Sequence, residues 1–430
     1  MNGQSQLTYS PMQRYATLVS AILGFSLDGY SLLIISFVIL PITKSFHTSV
    51  ASLGVVFSLQ LVFSMVGGVI FGNYADLIGR RRLLLLSIAI YSLGSLLSAF
   101  SWNVFALALF RSLVGIGLGG EWGVGMALYN EVWTAKRRAL GGGIIQGSFI
   151  FGIMLAGVVA RWALSTYILS GWRVALATGF LSLIPIMIVR LALPESKLWQ
   201  RAVVQRNKES HSAASTKNVP VKVIFHPDNR KYTIIGLIMV ACYMYAFYAI
   251  ASIMPTVLTT LYKVPVTLSA SITTWATFLG ALTYVIIGFL GDVWGRKTAF
   301  LIAQFLSVVG FLLFIIFTVG IRVPIGTSFV HWPIFWAYLL FYMGSASFAV
   351  FGVWFSELYP TRARSTGIST IYMVGRGMSA LAPIVAASSM NLGLLSGTFA
   401  AIVLFGLPWI LRETRGVNLS EEFETGMVNN

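Results

Sequence analysis

One ten-residue pattern occurs twice in this sequence, and that repetition limits the folds open to the chain. Residues 72–81 (GNYADLIGRR) and 288–297 (GFLGDVWGRK) both read G-x-x-x-D-x-x-G-R-[RK]. Their aspartates, Asp76 and Asp292, lie 216 residues apart, which is about half of the 430-residue chain. The repeat predicts two homologous halves that face each other.

A second repeat supports this duplication. The segments that begin at Glu131 and Glu357 both read E-x6-R-x2-G, with Arg138 and Arg364 as their arginines, and they lie 226 residues apart. The two shifts differ by only ten residues, so the order of the parts is kept. One repeat can arise by chance, whereas two in the same order indicate duplication of an ancestral half.

The composition places these halves in a membrane. Hydrophobic residues make up 57% of the chain and charged residues 10%, with a mean hydropathy of +0.83, whereas a soluble domain carries roughly 25% charged residues. Each long apolar run has about the twenty residues that a helix needs to cross the hydrocarbon, and a spanning strand needs only about ten. We count twelve such runs, at residues 15–42, 50–74, 83–101, 104–131, 139–163, 172–192, 232–260, 266–291, 298–318, 332–356, 366–390 and 392–411.

These runs predict an all-α membrane protein with twelve transmembrane helices in two six-helix halves. We divide the chain into an N-terminal half (1–193), a central loop (194–231), a C-terminal half (232–411) and a tail (412–430). By these boundaries 22 of the 29 lysines and arginines lie on one side of the membrane and only five on the other. The positive-inside rule then predicts that both termini lie in the cytoplasm, and we expect the plasma membrane as the host membrane. The net charge of +16 follows from this topology and does not indicate a nucleic-acid partner.

The sequence gives no sign of catalytic chemistry. Its one cysteine, Cys242, lies in an apolar run, and the G-x-x-x-x-G-K-[ST] pattern of ATP-binding loops is absent. We therefore expect no enzyme and no primary pump, and neither a cofactor nor a metal site.

The doubled motif also resembles a known family. The pattern around Asp76 and Asp292, in the loops after the second and eighth spans, resembles the signature of the major facilitator superfamily, as do twelve spans with a long central loop. The resemblance covers about residues 15–415. It implies the major facilitator fold and a secondary transporter that works by alternating access.

Within that superfamily two subclasses compete. The segment from Arg111 to Gly123 resembles the fourth helix of organic-acid:proton symporters, which carry lactate or pyruvate, sialate and aromatic acids. Asp28-Gly-Tyr resembles their first helix, although Ser31 replaces the second aspartate of the aromatic-acid carriers, which argues against that subgroup. Residues 194–199 (PESKLW) resemble an element of sugar porters and organic-cation carriers, but the seventh span lacks the glutamine pair with which sugar porters bind hydroxyls.

Ionisable residues inside a membrane are costly and mark functional sites. Four lie deep in the predicted spans: Asp28, Arg111, Glu121 and Arg376. Burial favours a protonated carboxyl and a nearby arginine favours the carboxylate, so Asp28 and Glu121 are the candidate proton carriers. Arg376 is the first candidate for binding an anionic substrate, since a guanidinium grips a carboxylate with two parallel hydrogen bonds, and Arg111 is the second. The same charges also allow a purely structural pairing between helices.

Several uncharged residues complete the predicted sites. Aromatic and amide side chains in the spans are candidates for lining the substrate pocket: Tyr30, Trp122, Gln146, Tyr243, Tyr245 and Tyr248. The charged residues of the two repeats are candidates for a gate on the cytoplasmic side: Asp76, Arg80, Arg81, Glu131, Arg138, Asp292, Arg296, Glu357 and Arg364. Opposite charges at helix ends can pair when that side is closed and separate when it opens.

The sequence thus predicts a monomeric, proton-coupled transporter of a small organic anion, with protons and the lipid bilayer as its other partners. Lactate, pyruvate, another small acid and a sugar all remain open as substrates. A sugar, polyol or organic-cation transporter of the same superfamily is the alternative, as is an uncoupled facilitator or sensor. Which of Asp28 and Glu121 carries the proton also stays open.

Overall fold

A computed structural model describes residues 9–167, 170–184, 186–187, 193–210, 220–251, 266–317, 333–382, 385, 389–417 and 419, to which the statements below refer. All regular elements in these residues are helices. In chain order the α-helices are α1 (Pro11–Phe37), α2 (Ile39–Phe46), α3 (Val50–Ile78), α4 (Arg80–Ala99), α5 (Val104–Val132), α6 (Arg138–Thr166), α7 (Gly171–Ala177), α8 (Lys197–Ser210), α9 (Pro220–Ile224), α10 (Pro227–Ala251), α11 (Val266–Val293), α12 (Arg296–Ile315), α13 (Pro333–Ser345), α14 (Phe351–Leu358), α15 (Arg364–Met378) and α16 (Met390–Gly406).

Ten helices in the described residues are long and apolar enough to cross a membrane. They correspond to ten of the twelve predicted runs, with α13 and α14 forming one span through a short 3-10 turn. The predicted sixth and eleventh spans begin at α7 and α15 and continue into residues outside the described ranges. The predicted central loop, 194–231, contains the helices α8 and α9 in its described part.

Side-chain caps fix where several of these helices begin. Ser10 and Gln13 form a reciprocal capping box at the start of α1, and Pro11 occupies its first position. Asn103 accepts the Ala106 N–H at the start of α5, and the bond is 2.8 Å long. Such caps satisfy backbone donors that have no partner inside the helix, and each typically stabilises it by about 1 kcal/mol.

The predicted halves contact each other mainly through three pairs of helices. α3 and α5 of the first half pack against α15 of the second, and α6 packs against α11. The largest buried apolar cluster contains residues of both halves, among them Trp122, Met126, Tyr243 and Tyr372. The interface between the halves is therefore part of the core of the molecule.

The glycine-rich face of α5 serves close packing. A Cβ atom on Gly115 or Gly119 would lie 2.3 Å from a backbone oxygen of α3, and one on Gly123 would lie 2.0 Å from the Ser369 hydroxyl in α15. A row of glycines on one helix face lets the backbone of a neighbouring helix approach closely. At these three positions the structure has a tightly packed neighbour.

Candidate functional site

The predicted anion-binding residue Arg376 lies against the predicted proton carrier Asp28. Asp28 is in α1 of the first half and Arg376 is in α15 of the second, and both side chains are almost completely buried. The Arg376 Nη2 and Nη1 atoms lie 3.4 and 3.5 Å from the two carboxylate oxygens. The Nε atom of Arg376 has no hydrogen-bond partner in the described structure. The pair therefore joins the halves through long bonds and leaves one donor unused.

Glu121 and Arg111 occupy different surroundings within the first half. Glu121 is buried, lies near enough to Asp28 to act on its charge, and accepts a hydrogen bond of 3.4 Å from the Ser87 hydroxyl. Arg111 donates to the Gln60 side chain at 2.9 and 3.1 Å and to the Ser31 backbone oxygen at 2.5 Å. These contacts tie α5 to α1 and α3, so Arg111 holds helices together rather than meeting Asp28.

Aromatic side chains surround the Asp28–Arg376 pair. The Arg376 guanidinium lies 6.0 Å from the centre of the Tyr372 ring, and Tyr372 stacks on Trp122 across the interface with ring centres 3.8 Å apart. Tyr248 also interacts with Arg376. The Trp122 indole N–H donates to the amide oxygen of Gln146. Three of the predicted lining residues, Trp122, Gln146 and Tyr248, are thus brought together near the charged pair.

The remaining predicted lining residues do not all join this group. Tyr243 lies in the central cluster, where its ring is centred 4.3 Å from that of Phe348. The Tyr30 hydroxyl instead contacts Thr178 at 2.5 Å, inside a separate cluster of the first half. The Tyr245 hydroxyl donates to Ser396 in α16 at 3.1 Å. Tyr30 follows Asp28 by two residues, so its side chain lies about 200° around the helix from that of Asp28. Tyr30 therefore points away from the charged pair.

At one end of the bundle, the aspartates of the first repeat cap helices of the opposite half. Asp76 accepts the N–H and hydroxyl of Thr366 at the start of α15, both at 2.8 Å. Asp292 accepts the N–H groups of Ala139 and Leu140 at the start of α6, at 3.0 and 2.8 Å. Both carboxylates lie at positive helix N-termini, so each half's loop motif holds a helix of the other half.

The glutamates of the second repeat each bind an arginine from each half. Glu131 lies 3.1 Å from Arg80 of its own half and 3.0 Å from Arg364 of the other. Arg80 also lies 2.9 Å from Asp76, which is four residues earlier in the chain. The first repeat and the second repeat therefore join in one ionic network.

The equivalent network in the second half has the same connections. Glu357 lies 3.0 Å from Arg296 of its own half and 2.8 Å from Arg138 of the other. Arg296 lies 3.0 Å from Asp292. We call the eight residues of the two networks the clasp: Asp76, Arg80, Glu131, Arg138, Asp292, Arg296, Glu357 and Arg364.

Two further glutamates, Glu195 and Glu413, support the clasp from outside. Glu195 accepts the backbone N–H groups of Arg80 and Arg81 at the start of α4, at 3.1 and 3.2 Å. Glu413 does the same at the start of α12, at 2.9 and 3.0 Å. Arg81, a predicted gate residue, thus contacts Glu195 through its backbone. The equivalent positions of Glu195 and Glu413, each after the last span of a half, were the available signal.

The glycines of the first motif make these caps possible. Gly79 and Gly295 have φ angles of 114° and 104°, which residues with a side chain rarely adopt. A Cβ atom at either position would lie 2.6 Å from an oxygen of Glu195 or Glu413. Both conformation and space therefore require glycine here.

Comparisons with known proteins agree with this architecture. The probable 4-methylmuconolactone transporter of Cupriavidus pinatubonensis is 28% identical and aligns with 95% of this chain and 92% of its own length. The sialic acid transporter NanX of Escherichia coli is 26% identical, with 88% of this chain and 87% of that protein covered. A structure of the proton:xylose symporter XylE bound to 6-bromo-6-deoxy-D-glucose matches with a TM-score of 0.81, at 17% identity, over 97% of this chain and 99% of that one.

The family itself follows from a direct match. The model of the Major Facilitator Superfamily matches residues 19–257, which is more than half of the chain. The relatives named above are transporters, and the fold has the two contacting groups of helices predicted from the repeats. The chain therefore belongs to the Major Facilitator Superfamily, a family of multi-pass membrane transporters.

Proposed function

We propose that this protein is a secondary transporter that couples the movement of a small organic anion to protons by alternating access. The observation that carries the proposal is the buried Asp28–Arg376 pair between the two halves, with bonds of 3.4 and 3.5 Å. A carboxylate and a guanidinium in optimal contact lie about 2.7–2.9 Å apart. The longer distances leave Arg376 available to a competing carboxylate.

The substrate carboxylate would replace Asp28 as the partner of Arg376. Arg376 has an unused Nε donor, and carboxylates bind arginine through two parallel hydrogen bonds. An arginine fully buried without a counter-ion is strongly unfavourable. The site therefore favours an anion over a neutral sugar or a cation. The names of the relatives, which include transporters of sialic acid and a muconolactone, agree with an organic-acid substrate.

Proton coupling follows from the charge of the site. When Asp28 is ionised and no substrate is bound, the aspartate neutralises Arg376. When Asp28 is protonated, a substrate carboxylate neutralises Arg376 instead. Every other loading state leaves an uncompensated buried charge, which costs about 3–5 kcal/mol. The protein would thus change conformation empty, or with proton and substrate together, which is symport.

Glu121 is proposed as a secondary proton site. It interacts electrostatically with Asp28, and the Ser87 hydroxyl donates to it at 3.4 Å. A second carboxyl close to Asp28 makes simultaneous ionisation of both unfavourable. Asp28 therefore holds the main proton and Glu121 adjusts how readily Asp28 releases it.

The clasp is proposed to be the cytoplasmic gate. Its cross-half bonds hold that end of the bundle closed, and its interface-spanning contacts must break for the halves, 1–193 and 232–411, to rock apart. The positive-inside rule places this end, the termini and the central loop in the cytoplasm. With the clasp closed, the central site would be loaded from outside, and the monomer contains every residue that this cycle requires.

Reconstituted protein tests the proposal. Proteoliposomes with an acidic exterior are offered labelled lactate, pyruvate, benzoate, glucuronate, glucose and xylose. We expect accumulation of at least one acid above equilibrium, its collapse with a protonophore, and no accumulation of the sugars. Equilibration without accumulation would instead indicate a facilitator, and sugar uptake without acid uptake would overturn the anion assignment. The exposed Arg161, changed to Gln, is a charge-matched control for Arg376→Gln.

A further inference from the structure

Three hydroxyl groups of the second half form a compact buried cluster that the proposed coupling does not use. They belong to Tyr243 in α10, Tyr284 in α11 and Ser345 at the end of α13, and we call them the hydroxyl cluster. Tyr243 and Tyr284 are 3.1 Å apart, and Tyr284 lies 3.1 Å from the Ser345 hydroxyl. The three residues are 7%, 5% and 3% exposed. Buried hydroxyls are usually hydrogen-bonded, so counting their protons shows whether every contact has a donor.

The hydroxyl cluster has fewer protons than hydrogen-bond contacts. The Tyr243 proton is directed to the Ser345 backbone oxygen, 2.9 Å away, and the Ser345 hydroxyl donates to the Tyr342 backbone oxygen at 2.6 Å. Only the Tyr284 proton is left for the two remaining contacts, those of Tyr284 with Tyr243 and with Ser345. One contact therefore lacks a proton. Since each hydroxyl oxygen has two lone pairs, the cluster has spare acceptors and no spare donor.

The hydroxyl cluster adjoins the aromatic surface that leads to Arg376. The Tyr243 ring is centred 4.3 Å from the Phe348 ring, which lies 5.4 Å from the Tyr372 ring, itself 6.0 Å from the Arg376 guanidinium. Trp122 of the first half stacks on both Phe348 and Tyr372. An aromatic surface thus connects a site for a carboxylate with a site that accepts a hydrogen bond.

We propose that the hydroxyl cluster is a second recognition subsite, and that the transported acid carries a hydroxyl group. This inference rests on the proposed function, since it takes Arg376 to bind the substrate carboxylate. A substrate hydroxyl would supply the missing proton to Tyr243 or Tyr284. A second carboxylate or a ketone brings only lone pairs and would meet lone pairs, so dicarboxylates and keto acids are disfavoured at this end. The aromatic surface between the two subsites accommodates the carbon skeleton.

Matched pairs of acids test the inference. Dissociation constants are measured on the purified full-length protein for lactate and propionate, 4-hydroxybenzoate and benzoate, and gluconate and hexanoate. In at least one pair we expect the hydroxylated acid to bind about three- to tenfold more tightly, as a single neutral hydrogen bond provides. Tyr284→Phe should remove this preference and leave the affinity for the plain acid unchanged, and Tyr243→Phe should remove the preference as well. Tyr245→Phe, whose hydroxyl contacts Ser396, should keep it.

The outcomes separate the two proposals. If acids bind but no hydroxylated member is preferred, or if the preference survives both cluster variants, the subsite is wrong and the organic-anion proposal stands. Equal weakening of plain and hydroxylated acids by the cluster variants would also overturn the subsite. If no acid binds, or if Arg376→Gln binds acids as well as the wild type, the proposed function fails and the subsite fails with it. Thermal unfolding of each variant establishes folding, and Tyr284→Phe decides the matter if Tyr243→Phe does not fold.

Discussion

The clasp and the central pair are both buried ionic sites between the same two halves, yet they are built differently. In the clasp every connection occurs twice: Glu131 and Glu357 each bind one arginine from each half, at 2.8–3.1 Å. The central pair has no equivalent among the residues that the structure describes, and its bonds are 3.4 and 3.5 Å long. A gate that closes two halves gains from duplicated short contacts, whereas a site for one exchangeable substrate requires a partner that can be displaced.

The largest expected effect is at the central arginine. Arg376→Gln leaves Asp28 buried without its partner and removes the proposed anion site, so uptake of the preferred acid should fall by at least about 100-fold, the equivalent of roughly 3 kcal/mol. Initial rates in proteoliposomes measure this, with Arg161→Gln as control. Uptake within about threefold of wild type would show that the central pair has only a structural role.

Asp28→Asn separates coupling from binding. The amide imitates the protonated aspartate, so Arg376 should stay free for substrate in all states. We expect exchange of labelled for unlabelled acid to continue while accumulation driven by a proton gradient disappears. Glu121→Gln is the comparison and should reduce accumulation only partly. Full proton-driven accumulation by Asp28→Asn would move the coupling away from the central pair.

Variants of the clasp should change the conformation of the protein more than its binding of substrate and protons. Glu131→Gln and Glu357→Gln each remove the charge that holds one arginine from each half, so each should populate a state opened at this end. Spin labels at the exposed positions 136 and 362, in a Cys242→Ser background, report the separation of the halves. We expect similar widening for both variants, because their networks have the same connections. Widening by only one variant would contradict the functional equivalence of the repeats.

The smallest effects are expected at the outer caps. Glu195→Ala and Glu413→Ala each leave two backbone N–H groups at a helix start without their acceptor. A lost cap typically destabilises by about 1 kcal/mol, so each variant should unfold at a slightly lower temperature, by a similar amount. Changed substrate affinity without lowered thermal stability would indicate that these glutamates act on the central site instead.

The regions also differ in how far the sequence predicts them. The clasp was predictable because its charged residues repeat at nearly constant shifts, and all eight of them are among the residues that the sequence singles out at this end of the molecule. The sequence also singled out Asp28 and Arg376 as candidate site residues, because charged residues are conspicuous in apolar spans. The pairing of Asp28 with Arg376 depends on how the helices are rotated against each other. The same rotation decides that Tyr30 and Tyr245 point away from this pair. A sequence with helices of weak amphipathicity does not specify that rotation.

Residues without charge or repetition were harder to predict. Tyr372 and Phe348 occupy the centre of the aromatic surface, yet each is one of many aromatic residues in a chain with 30 phenylalanines and 17 tyrosines. The sequence did not single out Thr366, which donates hydrogen bonds to Asp76. A threonine at a helix start ordinarily acts only as a local cap. Gly123 packs closely against Ser369, which belongs to the other half. Such contacts are set by tertiary structure alone.

The crossed caps of the clasp have a consequence for the origin of the molecule. Asp76 caps the N-terminus of α15, and its counterpart Asp292 caps the N-terminus of α6, the equivalent helix of the other half. Two identical copies of either half, related by a dyad, would satisfy the same set of bonds. A primitive dimer of six-helix subunits could thus have closed at this end before the gene was fused. The central pair breaks this symmetry, because one half supplies the Asp28 carboxylate and the other the Arg376 guanidinium.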